Sequence, residues 1–127
     1  MSESIVRGKS FAFALEIISL YKQLQSEKEF VLSKQMLRSG TSIGANIEEA
    51  LAAQSRRDFL SKMSIASKEA RETRYWLVLL QQSKLTKLDL KTAIIQVESL
   101  NRILTSIVKT TAETSAVIQN PKSKTQN

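Results

Sequence analysis

Glu49 and the Glu69-x-x-Glu72 pair are the acidic residues whose spacing most invites chemistry. Residues three apart on a helix share a face, and Glu69 and Glu72 fall in one row with Ile65 and Trp76. Three carboxylates meeting between helices could hold a metal ion or divide the roles of acid and base. The chain, however, contains no His and no Cys. That composition excludes Ser-His and Cys-His nucleophile pairs, the usual zinc sites and the Glu-x-x-His ligands of carboxylate-bridged metal bundles. It also excludes disulfides. The carboxylates therefore read as a structural polar network, Arg38, Asn46, Glu49, Glu69 and Glu72, that fixes the register of packed helices. No catalytic residue, metal or cofactor is expected, and the chain reads as a non-enzyme.

The second kind of chemistry is cationic. The net charge is +7 and unevenly spread: residues 1–54 carry six basic and six acidic side chains, residues 55–112 eleven and five. Arg57, Lys68, Arg71 and Tyr75 fall along one helical face, with Arg56, Lys62 and Arg74 beside it, and Lys87, Lys91, Arg102 and Lys109 follow downstream. Such a stripe can track a phosphate backbone, so RNA or DNA is the expected partner. The alternative is a solvated helix surface, partly neutralised by pairs such as Asp58–Lys62. Trp76 and Phe59 fall on packing rows and read as core rather than as platforms for bases.

These residues must be carried on helices, because one Pro and three Gly in 127 residues leave few breaks. The first helix is expected from an N-cap at Ser10 to about Gln25. At 100° per residue its apolar side chains, Phe11, Phe13, Leu15, Ile17, Ile18 and Leu20 among them, span an arc of about 220°. That is wider than a monomeric bundle needs, so the surplus face points to self-association.

The second helix is expected from near Glu29 to near Ala53, through a stretch rich in Gly, Ser and Thr. A seam of Leu32, Met36, Ser39, Ile43, Asn46, Ala50 and Ala53 crosses it in alternating steps of three and four, beside a row of Leu37, Gly40, Gly44, Ile47 and Leu51. Gly costs a helix about 1 kcal/mol relative to Ala, so two glycines on a buried face point to a close approach by another backbone. Asn46 on that seam is expected to bond across the bundle, since an unpaired buried amide is costly. The third helix starts after Ser55, where Asp58 completes a variant capping box, with a seam of Phe59, Met63, Ala66, Ala70, Thr73, Leu77 and Leu80. The fourth is expected from Thr86 to about Thr111 on Leu90, Ile94, Val97, Asn101, Leu104 and Val108. Long helices with short connections make antiparallel neighbours, hence an all-α, up-down-up-down four-helix bundle over residues 1–112. Residues 113–127, with Pro121, Lys122 and Lys124, read as a polar, disordered tail. No apolar run has the length of a membrane span and no signal-peptide pattern opens the chain, so a cytoplasmic location is expected.

Arg38-Ser-x-Thr-Ser-Ile-x-Ala-Asn-Ile-x-Glu49, then Ser55-x-x-Asp58-Phe59, then Lys68-Glu69-Ala70-x-Glu72-Thr73-x-Tyr75-Trp76-Leu77 resembles a bacterial family. Its members are the four-helix-bundle proteins encoded in intervening sequences of large-subunit ribosomal RNA genes, also labelled S-twenty-three-like. The resemblance runs from about Phe11 to Thr111, and departs where members often have Pro (Gly44 here) and Gly (Ala50 here). It implies an antiparallel bundle that assembles as a homopentamer, and offers no catalytic residues. A related branch, the accessory variability determinant of diversity-generating retroelements, is a basic pentamer that binds nucleic acid and works with a reverse transcriptase. The combined reading is a homo-oligomeric accessory protein, pentameric by preference, that binds RNA more readily than DNA through its third and fourth helices. The competing reading is a protein-interaction module that docks a polymerase or reverse transcriptase.

Overall fold

The computed structural model describes residues 2–119, with side-chain environments for residues 3–114. It contains α1 (Ser2–Ser26), α2 (Leu32–Leu51), α3 (Arg56–Ser83) and α4 (Lys91–Gln119). Each helix packs on two others, α1 on α2 and α4 and α3 on α2 and α4, while the diagonal pairs stay apart. The result is a closed square. Glu27 in the first connection accepts from Thr86 Oγ1 (2.5 Å) and Lys87 N (3.4 Å) in the third. Those connections therefore share one end, as an up-down-up-down bundle requires.

The core is a continuous apolar column of Phe13, Ile17 and Leu24 from α1, Met36, Ile43 and Ile47 from α2, Met63, Leu77 and Leu80 from α3, and Leu90, Leu100 and Leu104 from α4. At α2 the two expected rows merge: Met36, Ser39, Gly40, Ile43, Ile47 and Ala50 are buried together. A Cβ on Gly40 would lie 2.9 Å from Ile17 Cγ1, and one on Gly44 would lie 3.6 Å from the Ser10 carbonyl oxygen. Gly40 thus lets the Ile17 side chain of α1 sit close against α2. A Cβ at Gly44 would make only ordinary contacts with Ser10, so the close approach is by a side chain rather than by the expected backbone. Buried hydroxyls join α2 to α3, with Thr73 Oγ1 2.8 Å from Ser39 Oγ.

Several boundaries differ from expectation. Helix α1 begins near Ser2, so Ser10 is not an N-cap but a buried interior residue that donates to the Arg7 carbonyl (3.0 Å). Val6, buried in the core, explains the extra turns. Helix α1 ends in a Schellman pattern, Glu29 N to Leu24 O and Lys28 N to Gln25 O, both 2.9 Å, with Lys28 at a left-handed φ of 66°. Glu29 then caps α2 instead of opening it, its carboxylate accepting from the backbone of Val31, Leu32 and Ser33. Ser55 caps α3 as expected, accepting from Asp58 N at 3.0 Å. Asp89, rather than Thr86, caps the start of α4 by accepting from Lys91 N at 3.0 Å. Leu90, Val97 and Leu104 are buried as expected, but helix α4 is turned to one side of that seam: Ala93, Leu100 and Ile107 are buried with them, leaving Ile94, Asn101 and Val108 half-buried on a flank. It continues to Gln119, past the expected end at Thr111 and tail boundary at residue 113, and the rest of the expected tail, 120–127, lies outside the described residues.

Candidate nucleic-acid interface

The ten expected contact cations divide sharply. Two are held in ion pairs: Lys62 Nζ with Glu49 Oε1 at 2.8 Å and Arg74 Nε with Glu98 Oε2 at 2.9 Å. The hydrogen bond and charge of Glu49 raise the Lys62 ammonium above its ordinary range. Among the described residues Arg56, Arg57, Lys68, Arg71, Lys87, Lys91, Arg102 and Lys109 make no ion pair, and all eight are exposed. Exposed cations without carboxylate partners keep their full field for an outside anion.

Their positions follow from helix geometry. On α3, Arg57, Lys68, Arg71 and Tyr75 run along the outer face at steps that return to one side of the helix. Tyr75 is 58% exposed and stands edge-on to Trp76, ring centroids 5.1 Å apart. Arg56 opens α3 and lines a hollow with Glu3, Phe59 and Thr110. Lys87 lies in the third connection and Lys91 at the start of α4, away from that end.

Between α3 and α4 lies an open groove of about 490 Å³ lined by Arg71, Asn101, Arg102, Thr105, Ser106 and Lys109. Arg102 and Lys109 are seven residues apart, two turns or roughly 10 Å at the helical rise. Arg71 faces them from the antiparallel neighbour. Sequence reasoning missed Asn101, Thr105 and Ser106 here, because Asn101 was assigned to the core seam. The signal was present: Asn101, Thr105 and Lys109 recur every four residues, a polar ridge on one flank of α4.

The expected polar network resolves into separate pieces. Arg38 Nη1 lies 3.2 Å from both Glu69 oxygens and Nη2 bonds Glu72, clasping α2 to α3. Trp76 Nε1 also donates to Glu72 Oε2, at 2.9 Å. That indole bond, reinforced by the Arg38 guanidinium and opposed by partial burial, holds the Glu72 carboxyl below its ordinary range. The same two carboxylates raise Arg38. Asn46 does not join them. It is half-buried and donates to Ser42 O (2.9 Å) and Ser42 Oγ (3.1 Å) on its own helix. Glu49 stands elsewhere with Lys62. Among the described residues no three carboxylates gather closely enough to hold a metal ion, and Trp76 and Phe59 pack against the core.

The family model described as "23S rRNA-intervening sequence protein" matches residues 2–114, which span all four helices. The chain belongs to this family. A crystal structure of a protein with unknown function from the S23 ribosomal protein family of Bacteroides thetaiotaomicron is 50% identical to it, with a TM-score of 0.81. The match covers 86% of this chain and 99% of that one. Comparison with curated proteins gives no match. The structural similarity shows that the square bundle described above is the fold of this relative as well. No helix among the described residues is long and apolar enough to cross a membrane.

Proposed function

We propose that this family member is a non-enzymatic, cytoplasmic, homo-oligomeric accessory protein that binds RNA in preference to DNA through the basic face of α3 and α4. One observation carries the reading: among the described residues, eight of the ten expected contact cations are exposed and lie without carboxylate partners. Binding by such a face releases counterions and weakens steeply with salt. Tyr75, exposed beside Lys68 and Arg71, adds an aromatic face on which a base can stack. Charge reversal at Arg57, Lys68 and Arg71 is expected to abolish binding to structured RNA while the circular dichroism of the bundle is unchanged. A triple variant that binds with the wild-type salt slope overturns the assignment of this face.

Self-association, with a pentamer favoured, is supported by α1. Phe11 is 66% and Leu15 55% exposed, and Ile18 extends the same apolar surface. A contiguous exposed apolar face on a small protein marks an interaction surface. Phe11→Glu with Leu15→Glu is expected to yield monomers in analytical ultracentrifugation, and an unchanged mass would remove α1 from the interface. The same stripe also favours the second reading, docking of a protein partner such as a polymerase or reverse transcriptase. Apolar docking is insensitive to salt, so a flat salt response would favour that reading.

A further inference from the structure

Three hollows that border α3 among the described residues differ in one respect that bears on ligand class. The hollow beside Arg56 includes Glu3, and the one beside Lys62 includes Glu49 and Asp58. The groove between α3 and α4 has three cations, an amide and two hydroxyls, and no carboxylate. Its lining side chains are all polar or charged, and the apolar surface it presents comes from their own aliphatic carbons rather than from a hydrophobic residue. Protein-docking grooves draw their affinity from buried aromatic or aliphatic anchors, which this lining lacks. The remaining chemistry is anion binding by charge and hydrogen bonds, with guanidinium groups suited to the forked oxygens of phosphate.

Asn101 adds a further detail. Its Oδ1 is buried and has no donor among the described residues. The residue as a whole is half-buried, so its amide stands on the wall of the cationic groove with an unmet hydrogen-bonding capacity. Arg71 from α3 and Arg102 and Lys109 from α4 bracket this amide and the hydroxyls of Thr105 and Ser106. Two turns separate Arg102 from Lys109, so the cations are spread along the groove, as an extended polyanion would meet them.

We propose that the α3–α4 groove seats consecutive phosphodiesters of a nucleic-acid strand, with Arg71, Arg102 and Lys109 on the phosphates and Asn101, Thr105 and Ser106 as neutral partners. This rests on the nucleic-acid reading above and narrows its face to one groove. Arg56, Lys87 and Lys91 then contribute only distant field, and Lys62 and Arg74 stay with their carboxylates.

The test is a binding titration of the full chain across a salt series, with single-stranded RNA and with DNA of the same sequence. Each lost phosphate contact lowers the log–log salt slope by about 0.7 on a single strand. Arg71→Gln/Arg102→Gln/Lys109→Gln is therefore expected to flatten the slope by about 2. A charge-matched variant outside α3 and α4, Lys22→Gln/Lys28→Gln/Lys34→Gln, should change it little, and the pair Arg71→Lys/Arg102→Lys should keep most of it. Slopes flattened equally by both Gln triples would overturn the groove while leaving the nucleic-acid reading intact. A wild-type protein that binds neither polymer would overturn both. Equal affinity for polyglutamate and RNA at matched salt would reassign the groove to acidic protein segments. The difference between the RNA and DNA arms identifies which strand the groove accepts.

Discussion

Three glycine-to-alanine substitutions separate helix propensity from packing in this bundle. Gly8, Gly40 and Gly44 all lie within helices, and none has a positive φ. Ala is favoured over Gly in a helix by about 1 kcal/mol, so each substitution starts from the same gain. At Gly8 nothing lies within 4 Å of the added methyl, and the gain should appear undiminished. At Gly44 the nearest atoms are Ser10 Oγ at 3.5 Å and Ser10 O at 3.6 Å, ordinary contacts that leave a gain of about 0.5–1 kcal/mol. At Gly40 the methyl would meet Ile17 Cγ1 at 2.9 Å and Cγ2 at 3.0 Å. Ile17 is fully buried, and a β-branched side chain has little χ1 freedom to move aside. Overpacking of this kind costs about 1–3 kcal/mol, so Gly40→Ala is expected to range from neutral to about 2 kcal/mol destabilising. Urea unfolding of all three variants at one fixed protein concentration measures the differences, since self-association would otherwise shift the midpoints. A Gly40→Ala protein as stabilised as Gly8→Ala would refute the close approach of Ile17 to α2.

Trp76→Phe removes the indole donor to Glu72 and should let the Glu72 carboxyl rise toward its ordinary value of 4.5. A carboxylate held low in the folded state contributes stability above its unfolded pKa and loses it as pH falls through the folded value. The pH-dependent part of the loss in Trp76→Phe should therefore be full at neutral pH and vanish once Glu72 is protonated in both proteins. Carbon-13 titration of Glu72 checks this, and an unmoved midpoint refutes it. Ser55→Ala should cost about 1 kcal/mol by stripping the cap from α3, while Ser55→Asp should retain most of it, as urea midpoints will report. Lys28→Gly should stabilise by up to about 1 kcal/mol, because Lys28 holds a left-handed φ in the Schellman turn that glycine adopts without strain. A loss of stability on thermal unfolding would refute that reading of the turn.

What the sequence determined by itself is chiefly the helical architecture, because periodicity is a local signal. The seam of Met63, Ala66, Ala70, Thr73, Leu77 and Leu80 marks the inner face of α3, and all six are buried. The cap at Ser55 depends on residues a few positions apart and was likewise legible. The absence of His and Cys bounds the chemistry wherever the chain goes. The rotation of α4 was not legible, because Ile94, Asn101 and Val108 form as regular a row as Ala93, Leu100 and Ile107. The choice between them was made by packing against α1 and α3. The same holds for the charges. Spacing along a helix lists cations, but only neighbours brought in from α2 and α4 tie Lys62 to Glu49 and Arg74 to Glu98. It also takes two antiparallel helices to put Arg71 across a groove from Arg102 and Lys109. Local propensity writes the elements, and the contacts between elements far apart in the chain decide which charges remain available to a ligand.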